Sequence, residues 1–84
     1  MENKIIKIAS ELFATEVTNK TKIGDIKAWD SLGQINLFMA IENEFGLSFD
    51  PEDIIENDSI ERIIFLLNNI ESNFSSKIDL NFLN

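Results

Sequence analysis

Residues 30–46 most restrict what this chain of 84 residues can fold into, because they hold one helical segment with a marked beginning and a marked end. Asp30 and Ser31 are residue types that cap the start of a helix. Gly46 suits the left-handed position that follows a helix. Between them, apolar residues recur at every third and fourth position, as on one face of a helix. We therefore predict a helix that begins at Asp30 or Ser31 and ends at Phe45.

The predicted helix carries two sets of apolar residues rather than one. Each residue turns a helix by about 100°, which places the two sets roughly a third of a turn or more apart. A bundle this small can bury one set against neighbouring helices. The other is either covered by Ile23, Ile26 and Trp29 of the preceding loop or exposed for a partner, and a Met in it favours exposure. The first set is Leu37, Phe38, Ile41 and Phe45, and the second is Leu32, Ile35 and Met39.

The residues before this helix predict a first helix and a long loop. Ile5, Ile8 and Leu12 recur at helical spacing, which predicts an amphipathic helix over residues 2–14. Residues 15–30 are rich in Thr, Asn, Lys, Gly and Asp and have only scattered apolar residues. This composition predicts a long ordered loop between the first two helices, and such loops are often functional.

Two further helices are predicted in the rest of the chain. Asp50 can cap a short third helix, with Pro51 at its first position and its end near Asn57. Asp58 or Ser59 can then cap an amphipathic fourth helix. The apolar stripe of the fourth helix is Ile60, Ile63, Ile64, Leu67 and Ile70.

The whole pattern predicts an all-α fold, a small four-helix bundle with three long helices, a short third helix and a long loop between helices one and two. We assign residues 1–72 to this helical domain. Residues 73–84 form a C-terminal tail that is more apolar than an ordinary disordered end, which predicts that it packs on the bundle. The apolar residues of the tail are Ile78, Leu80, Phe82 and Leu83.

The composition argues against several classes of function. The chain has no Cys and no His, so it lacks thiolate and imidazole groups, and we expect neither a metal site nor catalytic residues. Neither a signal peptide nor a run of about 18 apolar residues is recognisable, so we expect a cytoplasmic chain that does not enter a membrane. The formal net charge of −8 repels nucleic acid and attracts basic protein surfaces.

The acidic residues are concentrated in the middle of the chain. Residues 28–72 contain ten of the 15 acidic residues and one basic residue, Arg62. Glu42 and Glu44 lie on the second predicted helix, close in sequence to its apolar residues. We expect them to form an acidic rim beside the exposed set, which suits a basic groove on a partner enzyme.

Ser31 places one hydroxyl at the start of the second predicted helix. The unpaired N–H groups and the positive end of the helix dipole favour a phosphate bonded to a side chain there. The alternative is that Ser31 is only an N-cap, with Gln34 as its capping-box partner. Considered in isolation, the residue types allow both interpretations.

The segment around Ser31 resembles the acyl carrier proteins. Asp30-Ser31-Leu32 is similar to the Asp-Ser-Leu motif at the start of helix two in that family, and the resemblance extends from about Ile5 to Ile70. It implies that Ser31 is the attachment point of 4′-phosphopantetheine, with Asp30 and Leu32 beside it. A separate phosphopantetheinyl transferase would install this arm from coenzyme A. Further similar positions are Leu37, Met39, Ala40, Ile41, Glu42, Glu44 and Phe45.

The resemblance implies a monomeric carrier, not an enzyme, that holds an acyl or aminoacyl group as a thioester on the arm. An acyl- or aminoacyl-loading enzyme and a downstream acyltransferase or synthase would be its further partners. Gly33, Gln34 and Asn36 stand where fatty-acid carriers usually have acids, so the resemblance fits specialised pathways, polyketide routes among them, at least as well as fatty-acid synthesis. The docking surface would be Leu32, Ile35, Met39, Glu42 and Glu44.

The resemblance also bears on the cargo. In this family, acyl chains can enter the bundle between the helices. Several phenylalanines could crowd that space in this chain, which favours a short or polar cargo. They are Phe13, Phe38, Phe45, Phe49 and Phe65.

Two other functions compete with this interpretation. The first is an acidic helical module without a prosthetic group, which would hold a partner helix against Leu32, Ile35 and Met39. The second is a calcium sensor, suggested by the acidic residues between Asp50 and Glu61. That segment lacks the central Gly and the alternating oxygen ligands of an EF-hand, and its Pro fits the start of a helix.

Overall fold

A computed structural model describes residues 2–70, which form four helices around one apolar core. The predicted all-α bundle, with a short third helix and a long first loop, is confirmed for these residues. The predicted tail, residues 73–84, lies outside the described residues. Among those described, no helix has both the length and the hydropathy that crossing a membrane requires. The helices are α1 (Glu2–Phe13), α2 (Ser31–Phe45), α3 (Pro51–Glu56) and α4 (residues 60–70).

The beginnings and ends of the helices follow local backbone rules. The first helix ends one residue earlier than predicted, because Ala14 turns to a positive φ of 54°. Gly46 has a φ of 66° and ends α2 in the left-handed conformation, as predicted, with its N–H donating to the carbonyl of Glu42. Asp50 lies at the N-cap position of α3 but makes no side-chain capping bond. Ser59, one of the two predicted caps of α4, accepts from a backbone N–H at 3.2 Å.

The core is formed by one face each of α1, α2 and α4, together with loop residues. Fully burying a large aliphatic or aromatic side chain contributes about 1.5–3 kcal/mol to folding, so this cluster dominates the stability of a chain without disulfides. The third helix contributes no fully buried residue, and the apolar side chain that it packs against the core is the half-buried Ile54. Phe65, predicted to crowd the interior, is instead 68% exposed on the outer face of α4. The buried apolar residues are Ile5, Ala9, Phe13, Val17, Trp29, Leu37, Phe38, Ile41, Phe49, Ile60, Ile63 and Leu67.

Hydrogen bonds to the connection between α3 and α4 order the long loop of residues 14–30. The N–H of Ile23 donates to the carbonyl of Asp58 at 2.9 Å, and the N–H of Ile60 donates to the carbonyl of Thr21 at 3.0 Å. A short antiparallel bridge therefore joins two segments that are far apart in sequence. This explains how a polar, irregular loop holds a fixed path to the start of α2.

Candidate functional site

Ser31 occupies the first helical position of α2, and its side chain is exposed. Among residues 2–70, its hydroxyl has no hydrogen-bond partner. The N–H groups of Ser31 and Leu32 lie in the first turn, where a helix provides no carbonyl acceptor for them. An accessible hydroxyl thus lies beside free backbone donors at the positive end of a 15-residue helix.

Asp30, rather than Ser31, caps this helix. Asp30 has extended backbone angles, and its Oδ1 accepts the N–H of Gly33 at 2.8 Å. The alternative in which Ser31 is the N-cap and Gln34 its capping-box partner is therefore wrong. Asp30 meets the capping requirement one residue earlier, which leaves the hydroxyl of Ser31 without a structural role in the cap.

Gln34 is turned inward, where it joins three parts of the fold. Its side chain is only 5% exposed. Its Oε1 accepts the indole N–H of Trp29 at 2.7 Å. Its Nε2 donates to the carbonyls of Ile54 at 2.6 Å and Asn57 at 2.7 Å. One amide therefore connects the end of the loop, the first turn of α2 and the end of α3, with both of its amide hydrogens used.

Gly33 allows the loop to pass close to the first turn of α2. A Cβ atom at this position would lie 2.2 Å from the carbonyl oxygen of Ala28 and 3.2 Å from a ring carbon of Phe13. The ring of Phe13 in turn stacks on Trp29, with centroids 5.4 Å apart. The absence of a side chain at Gly33 therefore lets the aromatic pair and the loop backbone lie against the helix next to Ser31.

The second apolar set of α2 is exposed, as one of the two alternatives predicted. Leu32 is 65% exposed, Ile35 is 47% exposed and Met39 is 59% exposed. Trp29 does not cover them, because it is fully buried in the core. The first set is buried, with Phe45 only partly so.

The two glutamates of the predicted acidic rim have partners within the fold. Glu42 is half-buried, and its Oε2 accepts the N–H of Phe49 at 2.7 Å, which holds the turn after α2. Glu44 pairs with Lys4 of α1 at 3.2 Å. Glu44 follows Met39 by five positions, about 140° further round the helix, so it lies away from the exposed apolar set. Glu44 therefore does not border the set, whereas Glu42, seven residues after Ile35, lies at its edge. Whether either glutamate contacts a partner enzyme stays a prediction.

Two clefts meet at Ser31. The first, of about 330 Å³, lies against the loop, and Lys27 contributes a cation to its lining. The second, of about 310 Å³, lies between α2 and α3 and is mostly apolar. Within residues 2–70, no three acidic side chains converge in a way that could hold a metal ion. Besides Ser31, the second cleft is lined by Ile23, Gln34, Ile35, Ile54, Ile55 and Asp58.

Comparison with known proteins identifies the family. Residues 28–67 match the family model described as a phosphopantetheine attachment site. The chain is also 34% identical to an acyl carrier protein of Buchnera aphidicola subsp. Schizaphis graminum (strain Sg), over 82% of this chain and 91% of that protein. The chain belongs to the acyl carrier protein family. The matched segment contains all of α2 and α3 and therefore both walls of the apolar cleft.

Membership of the acyl carrier protein family establishes the prosthetic group and the class of function. The matching domain is one that carries 4′-phosphopantetheine covalently. Acyl carrier proteins are acted on by other enzymes and are not themselves catalysts. The resemblance to this family, carried in the sequence by Asp30, Ser31 and Leu32, is thus confirmed.

Three residues beside this site have roles that the sequence did not predict, namely Gly33, Gln34 and Lys27. One signal could have pointed to Gln34. It precedes Leu37 by three residues and Phe38 by four, so it falls on the same face of the helix as these apolar residues, where a polar residue is unusual. Glycine is required at position 33 because the loop backbone at Ala28 lies so close to it, and no local sequence pattern predicts that contact.

Proposed function

We propose that Ser31 carries the 4′-phosphopantetheine arm and that the chain delivers an acyl or aminoacyl group, held on that arm, to partner enzymes. The observation that carries the proposal is the exposed hydroxyl of Ser31, which has no hydrogen-bond partner within residues 2–70. It lies at the first position of α2, inside the segment that matches the attachment-site family. When bound, the arm supplies a terminal thiol that holds the cargo as a thioester.

The residues around Ser31 suit a negatively charged attachment. The free N–H groups of the first turn stabilise an anion there, and helix-dipole effects of this kind contribute about 0.3–1 kcal/mol at an exposed site. Lys27 adds a cation to the adjoining cleft. The negative charge of Asp30 repels an anion at Ser31, but the carboxylate of Asp30 is held in place by its hydrogen bond from the N–H of Gly33. The chain needs no base of its own for Ser31, because a separate transferase provides the acid–base chemistry.

We further propose that partner enzymes contact the exposed apolar set of α2, namely Leu32, Ile35 and Met39. The centre of this face is neutral, since Asn36 and Asn43 lie beside it, and the carboxylate of Glu42 at its edge is held by the N–H of Phe49. A partner groove with an apolar floor therefore fits it better than a purely basic one. The partners would be the phosphopantetheinyl transferase, a loading enzyme and a downstream acyltransferase or synthase of a fatty-acid, polyketide or specialised acyl-transfer pathway. The proposal is of a cytoplasmic monomer.

Intact mass spectrometry tests the attachment site. The chain is incubated with coenzyme A and a broad-specificity phosphopantetheinyl transferase. We expect a mass gain of one phosphopantetheine, which Ser31→Ala abolishes. Ser48→Ala is the matched control, because Ser48 is also exposed but lies outside the start of α2, and it should be modified like the wild-type chain. An unmodified wild-type chain, under conditions that modify another acyl carrier protein, would contradict the proposal.

Transferase kinetics test the partner surface. Replacing Ile35 and Met39 with Ser should reduce kcat/KM for modification about tenfold, which corresponds to about 1.4 kcal/mol of lost interaction. Stability should change little, since both side chains are exposed. Phe65→Ser is the control, because Phe65 is even more exposed than Ile35 and Met39 but lies on α4. Equal effects of the two changes would argue against a partner surface on α2.

The exposed apolar set also supports a second candidate, a binding module that acts without a prosthetic group. It would use the same three residues to hold an amphipathic helix. Retention of partner binding by Ser31→Ala, together with failure of the wild-type chain to be modified, would favour this candidate.

A further inference from the structure

Gln34 forms the inner wall of the apolar cleft beside Ser31. Its side chain is 5% exposed, yet it lines the cleft of about 310 Å³ between α2 and α3. The outer parts of this cleft are made of Ile35, Ile54 and Ile55, which are partly or largely exposed. The amide of Gln34 therefore separates an open apolar surface from the buried core.

The core behind this wall is apolar. Phe38 follows Gln34 by one turn on the same face of α2 and is fully buried. Its ring meets the ring of Phe49 edge to face, with centroids 5.2 Å apart. Ile63 of α4 is fully buried in the same core cluster. A long alkyl chain tethered close to such a core would bury itself there if a path existed, because burial of each methylene is favourable.

The hydrogen bonds of Gln34 close that path. An alkyl chain that entered between α2 and α3 would have to displace an amide bonded at 2.7 Å to Trp29 and at 2.6 and 2.7 Å to two carbonyls. An alkyl chain has no group that could replace those bonds. The indole N–H, the carbonyls and the amide itself would then be buried without partners, which is strongly unfavourable.

We propose that Gln34 closes the bundle interior to cargo held at Ser31, so that this chain carries short or polar acyl groups that remain outside the core. Gln34 acts here as a specificity-determining residue: it excludes long alkyl chains from shelter inside the bundle. The inference rests on the proposed function, because it requires a cargo on an arm at Ser31.

Loading the chain with two cargoes of different length tests this inference. Acetyl and ¹³C-labelled octanoyl groups are introduced from their coenzyme A thioesters by a broad-specificity phosphopantetheinyl transferase. We expect the two loaded forms to melt at the same temperature, and we expect no nuclear Overhauser effect between the octanoyl methylenes and the ring of Phe38. A higher melting temperature of the octanoyl form, together with contacts between its methylenes and Phe38, would overturn the inference.

Replacing Gln34 tests whether this residue is the barrier. In Gln34→Ala the hydrogen bonds and the side-chain volume are both removed, so we expect the octanoyl form to melt above the acetyl form and to contact Phe38. Asn36→Ala, an exposed position on the same helix, should behave like the wild-type chain. A folded Gln34→Ala variant without such contacts would overturn the assignment to Gln34. If that variant does not fold, the wild-type comparison still decides whether octanoyl enters.

The two proposals fail in different ways. If neither thioester is transferred to Ser31, the mass of the chain stays unchanged and the proposed function is contradicted. If both are transferred and octanoyl enters the core, the proposed function stands and the inference about Gln34 is overturned.

Discussion

The indole N–H of Trp29 donates to Oε1 of Gln34 at 2.7 Å, and this bond fixes the end of the long loop against the first turn of α2. Both side chains are buried, so the bond is shielded from competing water. Ser31 lies between them in sequence. The position of the candidate attachment site is therefore determined by a buried polar contact as well as by the helix itself.

Removing the amide of Gln34 should destabilise the fold. Gln34→Leu leaves the buried indole N–H without an acceptor, which costs about 1–3 kcal/mol. Two half-buried carbonyls also lose their side-chain donor, so we expect a total loss of about 2 kcal/mol or more. Trp29→Phe keeps a ring beside Phe13, but it leaves Oε1 of Gln34 without a donor and opens space in the core, so it should also destabilise the fold. Urea unfolding measures both free energies. Equal stability of Gln34→Leu and the wild-type chain would show that the network contributes nothing.

Gly33→Ala should lower stability although alanine favours helices. The helix propensity gain of about 1 kcal/mol is outweighed by contact of the new Cβ with the carbonyl of Ala28, at 2.2 Å in the unrelaxed geometry. Overpacking costs about 1–3 kcal/mol, and a contact with backbone atoms lies at the upper end of that range, so we expect a net loss of stability of about 1–2 kcal/mol. Thermal unfolding monitored by circular dichroism measures the change. Asn36→Ala is the control, since it is exposed on the same helix and should be neutral or slightly stabilising; a Gly33→Ala variant as stable as this control would refute the close-approach argument.

Asp30→Ala and Ser31→Ala should differ in their effect on stability. Asp30→Ala removes the bond to the N–H of Gly33, and the loss of such a cap costs about 1 kcal/mol. Ser31→Ala removes an exposed hydroxyl that caps nothing, so stability should stay within about 0.5 kcal/mol of the wild-type chain. Denaturant unfolding measures both values. A larger loss for Ser31→Ala than for Asp30→Ala would mean that the cap has been assigned to the wrong residue.

Glu42 and Glu44 should respond differently to charge reversal. Glu42→Lys loses the acceptor of the Phe49 N–H, and we expect a loss of about 1–3 kcal/mol with a less ordered turn after α2. Glu44→Lys breaks an exposed pair with Lys4, and such pairs contribute about 1 kcal/mol at most. We would compare the melting temperatures of the two variants and the hydrogen-exchange rate of the backbone amide of Phe49. Similar losses for both would contradict a structural role for Glu42.

The helices and the position of Ser31 could be predicted because their causes are local. Gly46 ends α2 through its own backbone preference, and capping residues lie within a few positions of the N–H groups they satisfy. The two apolar sets of α2 follow from helical geometry alone. The Asp30-Ser31-Leu32 motif is contiguous, so the family could be recognised without any knowledge of packing.

The remaining features of the site depend on contacts between residues that are not neighbours in sequence. Gln34 meets carbonyls 20 and 23 residues further along the chain, and Gly33 is required by the path of the loop five residues before it. The sequence by itself determined where the helices lie, which hydroxyl begins α2 and that this helix has two apolar faces. Only the tertiary structure decided which face is buried, which residue caps, and that a glutamine closes the core beside Ser31. Hydrogen bonds and close contacts of this kind exist only after the elements have packed, whereas periodicity and capping act within a single helix.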